Sequence, residues 1–455
     1  RTDAMRPMPQ VNTMNLKALK AVLLGTSALV CLALAAPVMA DDFVITSGTT
    51  TNNGETINGG DTVSVTGTID TGTAGLEDGI ETTGSNTIKV STDGIIKTGG
   101  YGAFGIKNTG DTNTTEISGS ITTSGVSGYG INNEGDTNTN TVSGSITTSG
   151  ETGVGIVNSG NTNTNTVSGS IETSGTNGYG IYNEGNTNTN TVSGNITTSG
   201  VSGVGIVNSG NTNTNTVSGS IETSGLTGVG IQNQGDTNTT TMSGSIETTG
   251  ASSNGINNLG KENITTVSGS ITTSGGTGGA GSAGVQNQGD TNETTITSTG
   301  SITRSGEYGG GVVNVGHSNI VKLYGNITLA SKDFAHAIIN EGGSNKTTIF
   351  SEGTITSSGK GGYGVYNLQG NSNTTVMSGS IMTSGEDGHG IYNVGNSNST
   401  TMSGSITTSG YGAFGIKNTG DTNTTEISGS ITTSGQLGYG IYNSGNTNST
   451  TMSGS

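Results

Sequence analysis

The sequence predicts an all-β fold in which short strands stack as the coils of a solenoid, with a repeat near 25 residues. An aliphatic residue followed two places later by Asn recurs every 25 residues from Ile106 to Ile256, and the pattern continues less evenly to Ile441. The runs between these copies are rich in Thr, Val and Ile and are bounded by Gly and Asn, which is typical of strands and turns. No run has the apolar spacing of a helix.

One coil, residues 131–149, indicates which side chains face inward. Because side chains alternate along a strand, counting by twos from Val142 separates two faces. The inward face is predicted to hold Asn138, Asn140, Val142, Gly144 and Ile146, and the outward face Thr137, Thr139, Thr141, Ser143 and Thr147. Other coils support this assignment of faces, because acidic residues there replace threonines of the predicted outward face. Glu116 and Glu426 replace Thr141, and Glu172, Glu222 and Glu247 replace Thr147.

Stacking places each residue above its copy in the next coil, about 4.8 Å away. An inward Asn then pairs with the same amide one coil along, which offsets the cost of burying it. The structural ladder predicted in this way comprises Asn108, Asn133, Asn158, Asn183, Asn208 and Asn233, and a second ladder comprises Asn113, Asn138, Asn163, Asn188 and Asn213. The Gly before each Ile and the Gly four places after it, such as Gly110, Gly135 and Gly160, are expected at corners with positive φ.

The chain divides into three segments. Residues 1–40 are predicted to be an upstream extension, with Met14 as the true start, and a secretory signal peptide cleaved after Ala40. Cys31, the only cysteine, lies in its apolar run. Residues 41–79 are predicted to be an N-terminal cap or first irregular coil, and residues 80–455 the repeat array of about 15 coils. Within that array, Gly276 to Ser282 reads as an inserted loop, and segments 100–125 and 410–435 are identical.

Composition restricts the function. Hydrophobic residues make up only 27% of the chain, too few for a globular core of this length, and the net charge of −17 argues against nucleic-acid binding. The acids recur singly and are interpreted as solvated surface charge. The histidines, His317, His336 and His389, lie in different coils, and Arg304 is the only arginine after residue 40. We therefore predict no enzymatic activity, no cofactor and no metal site.

The repeat, the Asn/Thr/Gly/Ser composition and the predicted signal peptide together resemble the right-handed parallel β-helix of autotransporter passenger domains, which are secreted arms of Gram-negative surface proteins. The resemblance covers residues 41–455 and rests on no family-specific motif. It implies export to the cell surface or beyond, an adhesin-like role, and a C-terminal translocator barrel beyond Ser455 as the chain's only link to the outer membrane.

The outward threonines form the predicted adhesive face. It comprises Thr137, Thr139, Thr141, Thr162, Thr164, Thr166, Thr187, Thr189, Thr191, Thr212, Thr214 and Thr216. Threonine also simply suits exposed strands. The functional interpretation is self-association between neighbouring cells, or adhesion to a host or abiotic surface. The alternatives are an ice-binding β-solenoid, since some antifreeze proteins carry Thr-x-Thr ladders, and a passive stalk that carries a tip. A polysaccharide-degrading β-helix enzyme fits less well.

Overall fold

The computed structural model describes residues 42–73, 75–275, 282–330, 333–368 and 370–455. These residues form a β-solenoid of about 16 turns, in which three parallel sheets run along the stack and no helix occurs. The predicted all-β solenoid with a repeat near 25 residues is therefore confirmed. The predicted signal peptide and residues 276–281 of the predicted insertion lie outside the described residues, whereas Ser282 belongs to a strand.

Sheet A is built from the runs that end in an apolar residue, which is buried in every strand but the last. Each strand pairs with its copy in the next coil, so that Asn140 lies beside Asn165 and Val142 beside Val167. The sheet has 17 strands: Phe43–Ile45, Thr62–Val65, Thr87–Val90, Thr114–Ile117, Thr139–Val142, Thr164–Val167, Thr189–Val192, Thr214–Val217, Thr239–Met242, Ile264–Val267, Glu293–Ile296, Ile320–Leu323, Lys346–Ile349, Thr374–Met377, Ser399–Met402, Thr424–Ile427 and Ser449–Met452.

Sheet B follows after a Ser-Gly corner. Its second residue, such as Ile146, and its fourth, such as Thr148, are buried, because alternate side chains of a strand share one face. The sheet has 16 strands: Thr50–Thr51, Thr68–Asp70, Ile95–Thr98, Ser120–Thr123, Ser145–Thr148, Ser170–Thr173, Asn195–Thr198, Ser220–Thr223, Ser245–Thr248, Ser270–Thr273, Ser301–Arg304, Asn326–Leu329, Thr354–Ser357, Ser380–Thr383, Ser405–Thr408 and Ser430–Thr433.

Sheet C carries the repeated Ile-x-Asn. Its 16 strands are Glu55–Ile57, Ile80–Thr82, Ile106–Asn108, Tyr129–Asn133, Val154–Asn158, Tyr179–Asn183, Val204–Asn208, Val229–Asn233, Asn254–Asn258, Ser282–Asn287, Gly309–Asn314, Ala335–Asn340, Val365–Asn367, Ile391–Asn393, Ile416–Asn418 and Ile441–Asn443. The segment expected to be a cap, residues 41–79, thus contributes strands to all three sheets.

The interior is one continuous apolar column along the described stack. A typical coil contributes one apolar residue from each sheet, as with Val142, Ile146 and Ile131, and all three of these side chains are fully buried. A 25-residue coil cannot bury these side chains alone. Neighbouring coils cover them from above and below, so stability depends on stacking.

The corner geometry differs from the sequence-based expectation. Neither Gly130 nor Gly135 adopts positive φ, whereas Thr137 does, with φ of 60°. The glycines are required for space instead. A Cβ on Gly130 would clash with Cγ2 of Ile146 and lie 2.6 Å from the carbonyl oxygen of the next coil's Gly155. The prediction of positive φ at the repeated glycines was wrong, because close contact between coils was taken for an unusual backbone angle.

Candidate functional site

Eight of the predicted adhesive threonines lie in strands of sheet A. Two columns run along the stack, in which each Thr pairs with Thr of the next coil and its side chain points outward. The columns continue into the following coil through Thr239 and Thr241. The eight residues are Thr139, Thr164, Thr189 and Thr214 in one column, and Thr141, Thr166, Thr191 and Thr216 in the other. The arrangement is a regular grid of hydroxyl and methyl groups.

The other four predicted threonines do not belong to this strand grid. They precede the strands at a corner, with φ between 56° and 60°, and are Thr137, Thr162, Thr187 and Thr212. Positive φ is unusual for a β-branched residue. Hydrogen bonds between coils hold the corner: the Thr137 N–H donates to the carbonyl oxygen of Asn161 at 3.0 Å, and the Thr137 hydroxyl bonds to the carbonyl of Asp136. The outward surface is therefore two strand columns wide, with a corner column beside it.

The inward asparagines of sheet C form a chain of side-chain hydrogen bonds. Each Nδ2 donates to Oδ1 of the Asn one coil further on, as from Asn158 to Asn183 and from Asn183 to Asn208, at 2.7 Å. All the predicted members, Asn108, Asn133, Asn158, Asn183, Asn208 and Asn233, are fully buried in this chain. Thr82 occupies the same position one coil before Asn108, and its hydroxyl donates to Oδ1 of Asn108 at 3.1 Å.

Two further rows of asparagines connect the coils. In the second ladder the amide oxygen accepts a backbone N–H, as when Asn113 N donates to Oδ1 of Asn138 at 2.7 Å. A third row contains Asn140, which was predicted to face inward but not to form a ladder, and its amide donates to Oδ1 of Asn165 at 2.8 Å. These rows rigidify the stack, because each amide fixes the position of the next coil.

The outer face of sheet C carries a stripe of aromatic and histidine side chains that sequence reasoning missed. Gly130 and Ile131, and the equivalent pairs in other coils, both face inward. The residue before each pair and the residue after it therefore lie side by side on the outer face of the sheet. The rings of Tyr179 and Tyr182 are consequently 5.5 Å apart. Along the stack, His336, Tyr363, His389 and Phe414 form one column of stacked rings, with centroids 4.4, 5.0 and 4.9 Å apart. The stripe could have been found from the sequence, because each of these rings stands two places before a repeated aliphatic residue.

The two histidines of this column are held as neutral rings. Nδ1 of His336 accepts the N–H of Tyr363, and Nδ1 of His389 accepts the N–H of Phe414, both at 3.1 Å. Burial lowers the pKa of both histidines and, helped by the charge of Lys417, brings the pKa of His389 to about 3. Burial likewise raises the pKa of Tyr366 to about 12. These groups are therefore uncharged near neutral pH.

Beside this column, residues between Gln286 and Leu368 line a groove of about 460 Å³. Tyr308 and Phe334 stack at one edge with centroids 5.6 Å apart, although both have positive φ. The floor of the groove is apolar and includes Val313 and Ile339, which are both buried. The coils from Ser127 to Ser252 have Ser, Thr or Asn at the position of the two aromatic rings, and the coil after Phe334 has Gly361 there, so the groove is a local feature.

Arg304 is buried, and its role is structural. It occupies the inward position of sheet B that Thr273 has in the preceding coil. Nε donates to the carbonyl oxygen of Ser282 at 2.8 Å, and the guanidinium also donates to the carbonyls of Gly275 and Gly306. Gly275 and Ser282 border residues 276–281, so Arg304 joins the two ends of that segment. Burial lowers its pKa to about 10.

The geometry defines a β-solenoid protein with a threonine grid on one side and an aromatic stripe on another. The chain matches no protein-family model and no curated protein. In the described part of the chain, no group of three or more His, Cys, Asp or Glu side chains is placed to hold a metal ion. That part also contains no apolar helix long enough to cross a membrane.

Proposed function

We propose that the chain is an exported, non-enzymatic structural protein that mediates adhesion or self-association at the cell surface. The observation that carries the proposal is the outward threonine grid of sheet A, in which the two columns keep strict register over consecutive coils. A second copy of such a surface is complementary to the first. Each hydroxyl can donate to and accept from a facing hydroxyl, and the contact repeats at every coil.

The rest of the molecule is suited to presenting this grid. Buried Asn rows and a continuous apolar core make the stack a rigid support, so a partner surface meets threonines that are already in position. Preorganised groups lose less conformational entropy on binding, so many weak contacts can add up to a stable association. Export and surface location enter this proposal through the predicted signal peptide and the resemblance to autotransporter passenger domains.

The test is a clumping assay on cells that display the full chain. Lysine replaces six grid threonines of three adjacent coils, namely Thr164, Thr166, Thr189, Thr191, Thr214 and Thr216. We expect the parent to clump and the variant to remain dispersed, because like charges on two facing copies repel. A charge-matched control places six lysines on the outward face of sheet B, at Ser145, Thr147, Ser170, Thr197, Ser220 and Thr272, and should still clump. Equal dispersal by both variants, or a parent that never clumps, would count against the grid.

The same grid favours one second candidate, ice binding. Its rows repeat at the coil spacing of about 4.8 Å, and hydroxyls beside methyl groups at regular intervals suit an ordered water layer. Purified protein should be assayed for thermal hysteresis and ice shaping. Hysteresis in the parent that is lost in the grid variant, without clumping, would favour ice binding. An intact fold with neither activity would leave the chain as a stalk.

A further inference from the structure

Two identical segments, 100–125 and 410–435, provide an internal comparison of one lysine in two surroundings. In the first copy Lys107 lies on the outer face of sheet C, where its Nζ is 3.2 Å from Glu81 and 3.9 Å from Glu134. The carboxylate of Asp78 adds to the negative charge around it. Three carboxylates thus surround one ammonium group.

The second copy lacks these acids. Lys417 is the counterpart of Lys107, and the residue beside it in the preceding coil is Tyr392 where the first copy has Glu81. His389 takes the place of Asp78, and Ser444 takes the place of Glu134. No carboxylate of the described residues lies within ion-pairing distance of Lys417.

The groups that do surround Lys417 are hydrogen-bond donors and aromatic rings. Because Nδ1 of His389 accepts the Phe414 N–H, the proton of the neutral ring is on Nε2. That Nε2 is 3.3 Å from Nζ of Lys417, which as an ammonium group has no acceptor lone pair. Two hydrogen-bond donors therefore lie 3.3 Å apart, that of His389 on a buried side chain and that of Lys417 on a half-buried one. Nζ also lies 4.6 Å from the centre of the Tyr392 ring and 5.3 Å from that of Phe414.

We propose that Lys417 and His389 bind a monocarboxylate ligand, and that its class is a carboxylated sugar such as a uronic acid. A carboxylate accepts hydrogen bonds from both donors and neutralises the single positive charge. A phosphate dianion fits less well, because this site offers one cation on a chain with a net charge of −17. The Tyr392 ring lies 4.6 Å from Nζ, and its hydroxyl is a group that can bond the hydroxyls of a sugar ring.

The test uses ligand-observed NMR to measure binding of galacturonate to the full chain. Neutral galactose, inorganic phosphate and an N-acetylated, amidated aspartate are measured in the same way for comparison. We expect galacturonate to bind and galactose not to bind. Lys417→Met should weaken galacturonate binding by about tenfold or more, because it removes the charge-assisted hydrogen bond. Lys107→Met is the matched control and should leave binding unchanged. Equal binding of galactose, tighter binding of phosphate or of the aspartate derivative, or no loss in Lys417→Met would overturn the proposal.

Two further variants separate loss of the site from loss of the fold. His389→Asp copies the first segment, where an Asp78 oxygen accepts the Phe104 N–H at 2.7 Å, so the coil should fold. Its carboxylate should occupy Lys417 and abolish galacturonate binding. Conversely, the triple variant Asp78→His, Glu81→Tyr and Glu134→Ser should create a second site at Lys107 and double the stoichiometry. A correctly folded triple variant that still binds one equivalent would contradict the assignment.

Discussion

Replacing Asn183 with Leu tests how far the buried amide chain of sheet C contributes to stability. The Asn183 side chain accepts a hydrogen bond from Asn158 and donates one to Asn208, both at 2.7 Å, and it is fully buried. Leucine is similar in size but makes neither bond. The substitution therefore leaves one buried N–H of Asn158 and one buried carbonyl oxygen of Asn208 without these partners.

The expected cost follows from those two groups. A buried polar group without a partner costs about 1–3 kcal/mol, so Asn183→Leu should lower the free energy of unfolding by about 2–5 kcal/mol, allowing for the burial of leucine. The measurement is the urea midpoint by far-UV circular dichroism, with Thr191→Leu on the outward face of the same coil as control. That control should change stability by no more than about 0.5 kcal/mol. Asn183→Thr should fall between them, since Thr82 makes one ladder contact naturally. Equal midpoints for the two leucine variants would refute the argument.

Three further predictions use the same unfolding assay. Arg304→Met should cost about 2–4 kcal/mol, because the carbonyl oxygens that the guanidinium satisfies would stay buried without it; an unchanged midpoint would contradict this role. His389 has a pKa of about 3 in the folded chain and an ordinary value of 6.5, so the unfolded chain takes up the proton first and stability falls as the pH drops from 6.5 towards 3. The free energy of unfolding should fall by about 2 kcal/mol between neutral pH and about pH 5, and by less in the His389→Asn variant. Parallel pH profiles for the parent and the variant would refute the low pKa of His389. Gly130→Ala should cost about 1–3 kcal/mol through overpacking, whereas Thr137→Gly should stay within about 1 kcal/mol, and the reverse ranking would contradict the corner analysis.

The repeat made the fold class predictable for a physical reason. In this solenoid residue n lies beside residue n + 25 of the next coil, so a constant sequence period directly predicts which residues are in contact. The alternation around Val142 then separates inside from outside, because a strand has only two faces. The inward position of Val142 and Ile146 and the outward position of Thr139 follow from these two rules, and the structure agrees with both.

Features that depend on backbone detail could not be obtained in this way. The two consecutive inward residues Gly130 and Ile131 break the simple alternation, and this break places two outer side chains of sheet C side by side. The buried Arg304 was equally hidden, since one charged residue at an inward position resembles a surface substitution until its carbonyl partners are known. Positive φ at Thr137 contradicts ordinary residue preferences and is stabilised by hydrogen bonds between coils.

The identical segments 100–125 and 410–435 show why a site in this fold must be sought across coils. Lys107 and Lys417 share every neighbour within their segments, yet acids surround the first and a histidine and a tyrosine accompany the second. The difference comes entirely from residues about one repeat away, because the side chains of adjacent coils are closer than those further along the same strand. Duplication of a coil therefore copies its fold but not its chemistry. A solenoid can acquire a new site by placing an existing coil beside different neighbours, and exchanging the residues around Lys107 tests that principle directly.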